Sequence, residues 1–315
     1  LRSELLPVVS LASRRSCRAG AVDLQPTGIM GRTIMICARA FAASALAATL
    51  CIAVDIAIAD AQPIDESKYP AFAGKWGRDP GQPRYDPSKP ARRAQQAPLT
   101  PEYQAIFEAS LADQALGGQG NDTTHRCLPA GMPRQMSSGF PIEIVITAKA
   151  TYVLYESTFA STRKIHTDGR DWPKQPFLTF AGYSIGQWLD TDGDGRYDTL
   201  EVETRHMKGP RQFENSGLPL HVDNATVVKE RMFLDKANPD ILHNEMTTFD
   251  NALTRPWTVM KGFPRLKGDL GEDNCSENNS LIKIGKEVYY LSADDYLMPA
   301  KKGQGPPDLR YFTQR

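Results

Sequence analysis

Residues 180–207 read FAGYSIGQWLDTDGDGRYDTLEVETRHM, and the acidic stretch at 190–201 decides what the chain around it must be. In DTDGDGRYDTLE, aspartate stands at the first, third, fifth and ninth positions, glycine at the sixth and glutamate at the twelfth. That is the spacing of an EF-hand calcium loop. Its flanks, however, do not read as helices. In TLEVETRHM, Leu200, Val202, Thr204 and His206 fall on one face and Glu201, Glu203 and Arg205 on the other. A period of two predicts strand, so the loop is expected between two strands, at the tip of a hairpin. So many carboxylates in one short loop repel one another without a cation. Ca2+ is therefore expected there, held by Asp190, Asp192 and Asp194, the carbonyl of Arg196, Asp198 directly or through water, and Glu201 turned back from the outer face. Magnesium suits such an adaptable, carboxylate-rich cage less well. The alternative is a solvated acidic tip. On the calcium reading the ion fixes a hairpin rather than transmitting a signal.

Working outward, the period of two continues on both sides. Ile142, Ile144 and Ile146 alternate with Glu143, Val145 and Thr147, and TYVLYEST, TRKIHT, TVVKERMFL, LHNEMTTF, PWTVMKGF, LIKI and EVYYL follow the same habit between short turn-like segments. About ten short strands without alternating helices predict a mainly β fold. The expected form is an antiparallel meander closing into a barrel, which removes exposed edges, with a two-sheet sandwich as the alternative. Upstream, Phe72-Ala73-Gly74-Lys75-Trp76 is expected to open the first strand. One helix precedes the meander: Thr100 caps it, Pro101 fits its first turn, Tyr103, Ile106, Phe107, Leu111 and Ala115 form its apolar stripe, and Gly117-Gly118 ends it.

The chain has 315 residues and a formal net charge of zero, so nothing electrostatic points to nucleic acid or an anionic membrane surface. MGRTIMICARAFAASALAATLCIAV, from Met30, followed by Ala59-Asp60-Ala61, reads as a secretory signal peptide. Its apolar run, 41–54, is too short to span a membrane. The expected organisation is an over-extended reading frame at 1–29, a signal peptide at 30–61, an extended proline-rich arm at 62–99 and a β-rich domain with a leading helix at 100–315. The expected location is periplasmic or secreted, with no transmembrane segment once the leader is removed. Beyond residue 61 only Cys127 and Cys275 remain. An even pair in an oxidising compartment favours one disulfide, worth about 4 to 5 kcal/mol in the chain-entropy model; two free buried thiols are the alternative.

Three segments concentrate polar groups beyond what strands need. RKIHTDGRDWP holds Arg163, His166, Asp168, Arg170 and Trp172; SGLPLHVDN holds His221 and Asp223; KERMF holds Glu230 and Arg231. Asp168, His221, Glu230 and Arg231 together make an acid–base set that would suit a lyase, isomerase or hydrolase. Each also has a plain structural role. Asp168-Gly169 is a turn dipeptide that Arg170 would cap, and His221 in a Gly-Pro loop would bond its own loop. Glu230 and Arg231 alternate on a strand, so one of them enters the interior and requires a partner there. There is no H-E-x-x-H, C-x-x-C or phosphate-cradling glycine loop. Tyr152, Tyr155, Phe180, Tyr183, Trp188, Phe233, Trp257, Tyr289 and Tyr290 either fill a core or line an apolar ligand cavity inside a barrel.

RCLPAGMPR, IEIVIT, YVLYE, RKIHTDGRDWP, GYSIGQW, DTLEVET, ERMFLD, EMTTFDNALTRPWTV and NCSENN follow one another between about residues 95 and 280. Taken together they are similar to a large bacterial family of exported, lipocalin-like β-rich proteins. The resemblance implies a secreted barrel with a paired cysteine and transfers no catalytic role. It also implies that the shared segments carry the common site, with Arg163, Arg170, Tyr183 and Trp188 as ligand-binding residues beside His221, Glu230 and Arg231. Relatives turn through a short Glu-Gly hairpin where this chain has the long acidic loop, so calcium is implied as an addition on this branch. The resulting expectation is an exported calcium-binding barrel that takes a small apolar or aromatic molecule. An enzyme acting on such a molecule is the alternative, and a structural envelope protein a third.

Overall fold

The acidic loop does join two strands. In a computed structural model of the chain, the described residues are 64–77, 96–123, 126–137, 139–156, 162–271, 274–275, 280–308 and 310. The expected extension and signal peptide, and most of the expected arm, lie outside them. In chain order come β1 (Gly74–Trp76), α1 (Pro101–Ala115), the single turn α2 (Arg134–Ser137), β2 (Ile142–Ile146), β3 (Ala150–Tyr155) and β4 (Arg163–His166). Then follow β5 (Tyr183–Leu189), β6 (Thr199–Arg205), β7 (Val227–Leu234), β8 (Ile241–Phe249), β9 (Trp257–Pro264), β10 (Leu281–Ile284), β11 (Glu287–Leu291) and β12 (Leu297–Pro299). The fold is mainly β, as its period of two predicts.

β1 to β9 form one sheet in sequence order. The sheet curls until its first strand meets its last: Trp76 bridges Arg265, the Gly77 amide donates to the Pro264 carbonyl (2.7 Å) and the Leu266 amide to the Lys75 carbonyl (2.9 Å). This seam decides for a barrel over a sandwich. Arg265 clamps it, its guanidinium lying 4.1 Å from the Trp76 ring centroid and donating to the carbonyls of Ala71 and Ala73. The strand opened by Phe72–Trp76 therefore belongs to the barrel, although it falls within the stretch expected as an arm.

One pairing departs from the expected all-antiparallel meander. β4 and β5 run parallel, with Ile165 opposite Ser184 and His166 opposite Ile185. A parallel neighbour cannot be reached by a tight turn; the chain must cross back along the sheet. Residues 167–182 make that crossing, and they carry the Asp168-Gly169-Arg170 turn and Trp172 across the outer face.

Inward positions fill one buried cluster, with Ile142, Ile144, Val153, Ile165, Leu200, Val202, Val228, Met232, Leu242, Met246, Val259 and Phe263 contributed by successive strands. Within it Glu230, 4 % exposed, meets Arg163, 0 % exposed. Arg163 donates Nη1 to Glu230 Oε1 (3.1 Å), Nε to Ser184 Oγ (3.2 Å) and Nη2 to Thr204 Oγ1 (2.8 Å), and Asn244 donates to Glu230 Oε1 (2.9 Å). The carboxylate that alternation sends inward thus has a partner from across the barrel. α2 closes one end, with Arg134 gripping Asp122 (3.0 Å) and Gln135 donating to the Val153 carbonyl (3.3 Å).

α1 begins at its expected cap, Thr100 accepting from the Tyr103 amide. Its buried side is Tyr103, Phe107 and Ser110, whereas Ile106 and Leu111 are each 39 % exposed. The expected stripe is thus only partly the buried one, because Ser110 faces inward to take the Asn121 amide (2.9 Å). β10–β12 form a separate three-stranded sheet, whose last strand the sequence pattern missed because it ends in proline. A disulfide joins Cys127 to Cys275, as the even pair predicts. No described helix is long and apolar enough to cross a membrane.

Candidate functional site

The 190–198 loop is wound around Asp190. Its carboxylate accepts from the amides of Gly193 (2.7 Å), Asp194 (3.2 Å) and Gly195 (2.9 Å). That winding needs left-handed backbone at Gly193 (φ 76°) and Gly195 (φ 87°), where a side chain would be strained. Thr191 closes the neck by donating its amide (3.0 Å) and hydroxyl (2.6 Å) to Asp198. Burial alone would raise the Asp198 carboxyl, but the hydrogen bonds from Thr191 and Thr199 outweigh it and hold it below its ordinary value.

Asp190, Asp192 and Asp194 each present a carboxylate oxygen within 4.8 Å of the others. An all-oxygen, triply anionic set of this kind fits a hard divalent cation such as calcium. Asp198 and Glu201 stand outside the group. The reason for Glu201 is geometric. In an EF-hand the chain turns helical before the twelfth position and rises only about 1.5 Å per residue, whereas here it enters β6 at about 3.3 Å per residue. Glu201 is carried along the strand instead, to lie opposite Gln187 and Arg231.

A groove of about 850 Å3 lies over the outward residues of β5 to β8. Its floor alternates in charge: Glu201, Glu203 and Glu245 among Lys229 and Arg231. One end is the crossover, with Arg170 and Trp172; the other is aromatic, with Tyr69 and Tyr197, the latter the eighth residue of the acidic loop. Tyr69 packs 5.2 Å from Tyr197 and 5.3 Å from Trp188, centroid to centroid.

At the crossover end Arg170 grips Asp168 through Nε (2.8 Å) and Nη2 (2.6 Å), and also bonds Tyr183. The pairing holds the Asp168 carboxyl at about 2. Arg205 lies 4.4 Å over the Trp172 ring, and His166 stacks on Tyr183 at 4.8 Å. Burial, then the charges of Arg170 and Lys164, push the His166 imidazole below its usual value; burial and Arg205 do the same to His206.

The residues expected to act together are distributed over four environments. Asp168 is clamped by Arg170, and Glu230 is enclosed in the core with Arg163. Arg231 faces outward, its guanidinium 5.0 Å from the Phe233 ring. His221 belongs to a different network: its ring meets Asp223 (3.0 Å) and Tyr103 (5.3 Å), its amide donates to Asp250 (2.8 Å), and its carbonyl accepts from the buried Arg211 (2.6 Å). Of the expected ligand residues, Arg163 is internal, Trp188 packs beneath Tyr69 and also lines the groove, Arg170 lines its crossover end, and Tyr183 lies outside the groove lining, stacked on His166. The aromatic side chains divide between inside and outside, with Tyr155, Trp188 and Trp257 buried and Tyr183 and Phe233 on the outer face. Sequence reasoning gave no role to Tyr69, Tyr197 or the His243–Asp235 pair (2.9 Å). Only Tyr197 carried a signal, its place inside the loop motif. A scan against protein-family models gave no match, and neither did a search of curated proteins.

Proposed function

We propose that the protein is an exported, lipocalin-like barrel that carries calcium in its acidic loop and binds a small apolar or aromatic molecule in the outer groove. The observation that carries the reading is the double place of Tyr197. It is a residue of the loop that gathers three carboxylates, and it forms the aromatic end of the groove opposite Trp172. Calcium then acts as a staple: it relieves the repulsion among Asp190, Asp192 and Asp194 and fixes the wall against which a ring packs. Binding is favoured over catalysis because, although Glu230 and Arg231 both border the groove, no free acid–base pair forms there. Glu230 and Asp168 are committed to arginines, and His221 to its own loop. The disulfide is in keeping with an oxidising, extracytoplasmic compartment.

Calorimetry on chelator-treated protein tests the metal, and native mass spectrometry of protein purified from its host tests the groove. Asp194→Asn should weaken calcium binding at least tenfold and Glu201→Gln by less, while Trp172→Ala should release a retained small molecule. Absence of calcium heat from the unsubstituted protein would end the metal reading. A retained molecule indifferent to Trp172→Ala would end the groove reading.

A further inference from the structure

A second cavity, of about 890 Å3, lies on the same outer face beside the acidic loop. Phe233, His243 and Met260 floor it, and the loop and the Asp235–Lys236–Ala237 turn wall it. Tyr197 and Arg231 line both this cavity and the groove, and so form the divide between them.

Its charges sort by whether they are already used. Asp235 holds the amides of Ala237 (2.9 Å) and Asn238 (2.8 Å) through one oxygen and His243 Nε2 (2.9 Å) through the other. Asp198 accepts from Thr191 through one oxygen and keeps its charge. The other ring nitrogen of His243 is buried, so this pair has no free base to offer a substrate. Asp192 and Asp194 belong to the carboxylate group of the loop. Three cations stand at the wall, Arg231, Arg196 and Lys236; Arg231 lies between Glu201 and Glu245 in the strand register, yet none of the three is within ion-pair distance of a carboxylate among the described residues. Arg231 is the one set against a ring, its guanidinium carbon 5.0 Å from the Phe233 centroid.

We propose that this cavity binds a compact organic carboxylate with an apolar body, anchored by Arg231 and seated on Phe233 and Met260, and that it does so when the loop holds calcium. The inference rests on the calcium reading above. Without the ion, the loop carboxylates face an incoming anion and oppose it. With the ion, two of the three loop charges are offset, and the opposition to an anion held at Arg231 falls. An arginine matches a carboxylate through two parallel hydrogen bonds, and apolar floor residues bury the body. Because the two binding events share one free-energy coupling, the carboxylate must tighten calcium binding by the factor by which calcium tightens the carboxylate.

The test is calcium calorimetry on the full, chelator-treated chain, alone and with saturating 3-phenylpropionate, its neutral amide serving as the uncharged control. The expected result is a calcium affinity raised about tenfold by the carboxylate and unchanged by the amide. Arg231→Met should keep calcium binding and abolish the shift. Calcium binding without any shift overturns this proposal and leaves the calcium reading standing, as does a shift that the amide reproduces or that survives Arg231→Met. No calcium binding at all overturns both.

Discussion

Glu230 shows how far a single residue could be read. Its alternation with Arg231 sends one charged group inward, and an inward charge in an apolar barrel requires a partner. The partner's identity was not legible. Arg163 lies 67 positions away, on a strand that meets β7 only across the closed interior, and no local spacing encodes that contact. The energetic consequence is specific. Arg163→Ala leaves the Glu230 carboxylate enclosed with the Asn244 amide as its neutral donor, and should cost about 3–5 kcal/mol. Arg163→Met combined with Glu230→Leu removes both charges, fills similar volume and should cost less than the single alanine change. Urea denaturation of the three proteins measures this. A double variant as unstable as Arg163→Ala would show that the pair stabilises the barrel beyond mutual neutralisation. The acidic loop was legible for a different reason: its ligand spacing is local, so Asp190, Asp192 and Asp194 come together whatever the barrel does. Glu201 was expected to turn back from the outer face of its strand; it lies along β6 opposite Gln187 and Arg231, outside the three-carboxylate group.

Among the elements, the strands were legible and the crossover was not. Period-two alternation reports which face a side chain takes, but it is blind to strand direction, so the parallel β4–β5 pair gave no signal beyond the length of its connection. That connection brings Arg170 and Trp172 to the groove, and the Asp168–Arg170 pair fastens it. The sign of its pH dependence follows from the depressed carboxyl. Asp168 titrates near 3.8 when unconstrained and at about 2 when paired. Its contribution is therefore complete above about pH 4 and disappears as pH falls through about 2. Because the pair is solvent-exposed, global stability should change little, within about 1 kcal/mol. Local order should change more. In Asp168→Asn, amides of 167–182 should exchange hydrogen faster at neutral pH while those of β6 and β7 stay protected. Unchanged exchange across the crossover would mean that Trp172, held by Arg205, fastens the segment without the Asp168–Arg170 pair.

For the molecule as a whole, closure depends on contacts between distant parts of the chain. β1 is only three residues long, yet it joins the sheet's two margins, and the disulfide adds a covalent tie from Cys127, before α2, to Cys275, beyond β9. Both ties bracket the same strands, β2 to β9, and both restrict the unfolded chain or the open barrel rather than any single hairpin. The cysteines are 148 positions apart, and fixing a loop of that length removes denatured-state entropy worth about 5 kcal/mol in the chain-entropy model. Replacing both cysteines by serine should therefore lower the urea midpoint by a large fraction of total stability, about 5–15 kcal/mol for an ordinary domain. Calcium binding in the surviving folded fraction should hold its affinity, because the amides that position Asp190 belong to the loop itself, even though the Tyr197 amide donates to the Lys68 carbonyl (2.7 Å) outside the hairpin. The two readouts separate the scales. A small midpoint shift would mean that the seam alone keeps the margins together, whereas a parallel loss of calcium affinity would mean that the loop's geometry is imposed by barrel closure rather than by its own backbone.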